Sequence, residues 1–232
     1  MSTVGVQPDK RSRLSPTVDL AVVLAFFAMA SLSVPFVNPL LRRGHGLPGV
    51  FLAALYQFVI EGLAPLTLMW LRRERFSDYG LTRQNLGLSL GFGLVLSVIY
   101  DLALSWNAGA LLWIPFRRQP AARMSLAVGF PLALSGLAIT VLVWGFLEGF
   151  FGIYFAKKVN LSLGHSGRGW FAPGTLAFAL FNGSVHLIVG QGPRGFVTSF
   201  ASGYAITVVP AVTRNAWGGT LVQSLTNAVG RR

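Results

Sequence analysis

The sequence predicts an all-α, polytopic membrane bundle of about seven (six to eight) transmembrane helices, and three observations carry that expectation. Hydrophobic residues make up 53% of the chain and charged residues only 11%, outside the balance of a soluble globular domain. Apolar runs of membrane-spanning length recur from one end to the other. The cations, 19 Lys and Arg against 7 Asp and Glu for a net charge of +12, sit in short clusters between those runs, as anchors facing anionic headgroups do. Nucleic-acid binding is excluded as a class, because it calls for a basic face and stacking aromatics on a polar domain. The chain has no cysteine, which rules out disulfides, thiolate catalysis and Cys-ligated zinc.

Residues 1–16 form a polar lead with Lys10, Arg11 and Arg13, expected to be disordered and cytoplasmic; 17–232 form one transmembrane domain. Thr17–Val37 is too long for a signal-peptide core and reads as a retained first span with Asp19 at its start. The second, Leu47–Leu71, encloses Glu61 and stops at Arg72, Arg73, Glu74 and Arg75. In the polar segment that follows, Gly80 ends a turn and Asn85 is placed to cap a helix. The third span, Leu86–Trp106, carries Asp101 near its end, where water and headgroups are in reach.

The 108–124 stretch is a break whose Trp113 and Phe116 beside arginines suit the membrane interface. Ser125–Phe155 is either one kinked helix or a short helix joined to a span, interrupted by Pro131 and stopped by Lys157 and Lys158. Phe171–Val189, holding Asn182 and His186, and Phe196–Val212, rich in small residues at Ala201, Ser202 and Gly203, are the next spans. Arg214 and Asn215 then turn the chain into a short last helix, Ala216–Val229. Assigning cation clusters to alternate sides leaves the larger share with the N-terminus, which is therefore expected in the cytoplasm.

Glu148 is the residue around which the rest is arranged, because a carboxylate inside so apolar a run is costly unless it faces a cavity or a partner. Asn182 and His186 are four residues apart and share a helix face, as do Gln223 and Asn227. Gly152, four residues after Glu148, leaves room for a neighbouring helix or a water beside the carboxylate. Converging, these groups would hold a water, with Glu148 as general base and His186 and the amides as donors to an oxyanion. Each also has a plainer role: His186 as a packed core residue, Gln223 and Asn227 as interhelical glue, Glu148 paired with His186 to cancel charge. Of the three histidines, His45 and His165 fall in loops, so no three-His zinc site is expected; no cofactor is predicted, with a divalent metal left open.

RRERFSDYGLTRQNLGLSLGFGL, the segment from His186 to Gly230, and the order of an acidic helix, a His helix and an amide helix resemble the CPBP family (CAAX protease and bacteriocin-processing, or Abi, proteins) of multi-span intramembrane endopeptidases. The resemblance covers about 71–232. It implies a bacterial inner membrane location, membrane lipids as surroundings, and hydrolysis of a peptide bond in a prenylated, lipidated or membrane-associated peptide by Glu-activated water. His186 matches the family's second motif, and Asn227 its third as an oxyanion or support group. The departures are Leu147 at the first-motif Glu, Gly152 at its Arg, Asn182 at a Phe and Gln223 at a His; a shift of one places Glu148 at the catalytic Glu instead. The resemblance is therefore equally consistent with a catalytically inactive binding or immunity protein on the same scaffold. A small-solute transporter using Glu61, Asp101 and Glu148 is the third class, and its usual internal repeats are missing.

Overall fold

A computed structural model describes residues 16–33, 36–37, 46–108, 127 and 129–228, with the backbone alone at 46, 107–108 and 227–228. The N-terminal lead, nearly all of the 108–124 break and the closing Arg231 and Arg232 lie outside the described residues, which contain seven longer helices, a 3-10 turn at Phe76–Tyr79 and no strand. Helix α1 is Pro16–Leu32. Helix α2 runs from Gly46–Gln57 through a π turn, Phe58–Gly62, into Leu63–Arg72. Helix α3 is Leu86–Ala108. Helix α4 joins Leu132–Thr140 by a π turn, Val141–Leu147, to Glu148–Ser162. Helix α5 is Pro173–His186, continued by a π turn over Leu187–Gln191. Helices α6, Gly192–Thr213, and α7, Trp217–Ala228, complete the bundle.

Four stretches are long and apolar enough to cross a membrane: Leu47–Arg72, Leu86–Trp106, Leu132–Ser162 and Pro173–Thr213. Among the described residues the protein is thus an all-helical membrane bundle. The last stretch is a hairpin rather than one rod, because left-handed Gly190 (φ 85°) and Gly192 (φ 66°) reverse the chain. The pairing across it is antiparallel: the Asn182 amide donates to the Ser199 carbonyl at 2.8 Å, and the Thr175 hydroxyl to the Thr207 carbonyl at 3.4 Å. Pro131 lies directly before α4, where it costs no helical hydrogen bond, so the 132–162 stretch is one long helix widened by a π turn.

Short α7 is held in the middle of the bundle by glycine seams on three sides. A Cβ on Gly218 would overlap the Ser89 carbonyl of α3, one on Gly219 the Ile206 carbonyl of α6, and one on Gly145 of α4 the Ser224 hydroxyl. Small residues let membrane helices approach to backbone contact, where dispersion replaces the missing hydrophobic drive. At the end where α7 begins, fully buried Asn215 donates from its amide to the Thr82 and Gln84 carbonyls at 2.8 and 2.7 Å and accepts the Trp217 N–H at 3.0 Å. It ties the polar segment after α2 to the start of α7.

Two expectations are corrected. The Asn85 side chain does not cap α3; it donates to the Thr213 carbonyl at 2.9 Å, joining the same clamp. Asp101 is 5% exposed, turned into the bundle rather than out toward headgroups. The outer face of α3 instead presents Leu94, Val98, Ile99 and Leu102, as a lipid-facing helix does.

Candidate functional site

Four of the seven helices bring polar side chains to one small cavity. It measures about 50 Å³ and is lined by Glu61 from α2, Glu148 from α4, Asn182 and His186 from α5 and Gln223 from α7, with Ile206 of α6 and a set of phenylalanines closing the walls. Liquid water occupies about 30 Å³ per molecule, so the space suits one water or two. Phe27 stacks on Phe151 at 5.6 Å and meets Phe181 edge-on at 5.2 Å, while Phe155 and Phe181 stack at 5.0 Å. This aromatic collar keeps the dielectric low and strengthens every polar interaction inside it.

The local backbone explains how the polar groups are aimed. Glu61 lies within the π turn of α2, Glu148 directly follows that of α4, and His186 directly precedes that of α5. A π turn inserts one residue into a helix, turning the side chains beside it out of register with the apolar stripe; such turns recur at functional sites. The carboxyl of Glu61 interacts with the Gln57 side chain and lies within electrostatic reach of Glu148. Its Oε2 is buried with no hydrogen-bond partner among the described residues.

The sequence-predicted residues divide clearly. Glu148, His186 and Gln223 meet at the cavity. Asn182 lines it as well, but its amide is used on the Ser199 carbonyl and the Ser202 hydroxyl, so it serves as interhelical glue. Asn227 belongs to α7, and its side chain lies outside the described residues. The room at Gly152 is filled by a neighbouring helix rather than by water: a Cβ there would meet the Phe178 ring of α5 at 2.5 Å. Leu147 turns away from the cavity and packs its methyls on Gly62 of α2. Position 148, not 147, therefore presents the α4 carboxylate. Among the described residues no group of three or more His, Asp and Glu is placed to hold a metal ion.

Glu61 stands out in the sequence only as a rival to Glu148; the two prove to be neighbours. An unanticipated ion network ties the end of the bundle where α1 begins. Asp19 accepts from Arg72 at 2.8 Å and from Lys158 at 2.9 Å, and Lys158 reaches Glu74 at 2.7 Å. Arg72 and Lys158, which read as membrane-end stops, are structural partners as well. A larger cavity of about 410 Å³ opens at that same end among Asp78, Lys157, Arg168 and Arg214, away from Glu148, His186 and Gln223. Comparison of the chain with family models, curated proteins and solved structures returns no match.

Proposed function

We propose that this protein is an intramembrane endopeptidase of the CPBP type, crossing the bacterial inner membrane about seven times with its N-terminus in the cytoplasm. One observation carries the reading: Glu148, His186 and Gln223, three residues singled out by chemistry on three separate helices, line one water-sized cavity. Glu148 takes a proton from the water as it attacks a peptide carbonyl, and His186 and Gln223 donate hydrogen bonds to the oxyanion. The cations support this orientation: among the described residues Arg72, Arg75, Lys157, Arg168 and Arg214 gather at the end where α1 begins and Arg194 lies at the other. The substrate class is a membrane-associated, prenylated or otherwise lipidated peptide, which enters between helices from the bilayer.

A second reading is favoured by the size of the cavity. At about 50 Å³ it admits water but no peptide, so substrate reaches the carboxylates only if helices part. A chain that never opens would be a binding or immunity protein of the same fold, consistent with Leu147, Gly152 and Gln223 at motif positions. The transport reading calls for a through-path reaching Glu61 or Asp101; Glu61 lines this cavity and Asp101 does not.

The deciding experiment presents a panel of quenched, membrane-tethered peptides, CAAX-type ones included, to the purified protein in proteoliposomes beside Glu148→Ala and His186→Ala. Cleavage by the wild type that both variants lose supports the peptidase. A wild type as silent as its variants leaves the binding reading in place.

A further inference from the structure

Of the chain's 7 acidic residues, two face the same cavity, and the reaction above uses only one of them. Glu61 and Glu148 come from different helices, each set at a π turn. No Lys or Arg lines the cavity, and His186 is the other titratable group on its walls. Asp19, buried at the end of the bundle, is met by two cations, whereas Asp101, buried outside this cavity, is met by no Lys or Arg among the described residues. Two carboxylates in so small and apolar a space disfavour each other's ionisation. A proton shared by the pair relieves that repulsion, and Glu61 offers it a place, because its Oε2 is buried with no hydrogen-bond partner among the described residues.

Resting on the peptidase reading, we propose that Glu61 is a second catalytic carboxyl, the general acid to the general base Glu148. Water attacks the carbonyl carbon, its oxygen forms the new C–O bond and its proton passes to Glu148. When the tetrahedral intermediate collapses, the C–N bond breaks and the departing nitrogen takes the proton of Glu61. The products are a carboxylic acid and an amine; Glu148 then returns its proton to Glu61 through the cavity water, restoring the starting state.

A general acid matters most when the leaving group is poor. The test offers full-length protein in proteoliposomes two tethered substrates with the same acyl portion, an alkyl amide and an activated aryl ester. Glu61→Gln is expected to slow amide cleavage about 10²–10⁴-fold while the ester slows by less than about tenfold. Glu148→Gln is expected to abolish both reactions, and Glu61→Asp to restore part of the amide rate. Equal loss on both substrates in Glu61→Gln, or no loss on the amide, would overturn the assignment. An infrared measurement separates this inference from the reading beneath it. If the wild type cleaves neither substrate, the peptidase reading fails, yet a protonated-carboxyl band at neutral pH that vanishes in Glu61→Gln still assigns the shared proton to Glu61; an unchanged spectrum refutes it.

Discussion

The Lys158 ammonium lies 2.9 Å from the Asp19 carboxylate across 139 residues of chain, and both side chains are at most 3% exposed. The contact fixes α1, otherwise a short apolar helix, to the end of α4. Asp19→Asn keeps the shape but leaves Arg72 and Lys158 facing a neutral amide. Breaking one side of a buried pair costs about 3–5 kcal/mol, and the contact that Lys158 keeps with Glu74 sets the expected loss near the lower end. Thermal unfolding in detergent should show it, with exposed Arg73→Ala as the unaffected control. An Asp19→Asn protein that melts with the wild type would mean the network is ornamental.

Gly218 and Gly91 make a matched pair of substitutions. A Cβ at 218 has no space against the Ser89 backbone, whereas one at 91 meets nothing within 4 Å. Gly218→Ala must push α7 away from α3, and overpacking of this kind costs about 1–3 kcal/mol, occasionally more. Gly91→Ala gains helix propensity instead, by about 1 kcal/mol at most. Unfolding midpoints of the two variants should therefore move in opposite directions. If the Gly218 variant is as stable as the wild type, the glycine seam is not what seats the helix that bears Gln223.

Tyr79, in the turn after α2, connects stability to alkaline pH. Burial first, and then its hydrogen bond to Glu74, hold the phenol protonated far above its ordinary range. An unfolded chain gives up that proton near pH 10, while the folded protein retains it. The stabilisation is thus complete below about pH 10 and declines as pH rises beyond it. Tyr79→Phe should start from a lower midpoint for want of the hydrogen bond, then fall less steeply than the wild type between about pH 9 and pH 11. Parallel pH profiles would contradict the assignment.

The helices were legible in the sequence because hydropathy and proline or glycine breaks act over a single turn. Even the Gly190–Gly192 reversal and the short last helix follow from local composition. Glu148, His186 and Gln223 were legible as polar exceptions in apolar runs. What the sequence does not carry is rotation about a helix axis. The π turns of α2 and α4 rotate Glu61 and Glu148 toward each other and Leu147 toward Gly62, and no periodicity of 3.6 anticipates an inserted residue. The partnership of Asp19 with Lys158 depends likewise on which helix ends assemble, and membrane-end cations look alike whether they face headgroups or a buried acid.

Gln223 is the position where the proposed chemistry is most exposed to refutation. It is 5% exposed, lines the cavity from α7, and packs its Cβ beside Gly149, one residue from Glu148. Its amide supplies N–H donors but no transferable proton. Removing a preorganised oxyanion donor slows turnover roughly 10²–10³-fold, so Gln223→Ala should lower kcat by that factor with little change in KM. Gln223→His, close in volume, adds a group that can carry charge and shuttle a proton, and should raise kcat above the wild type. Steady-state cleavage of the best tethered peptide decides it. If the alanine variant keeps its kcat, Gln223 merely packs, and the oxyanion must be held by His186 and groups other than α7.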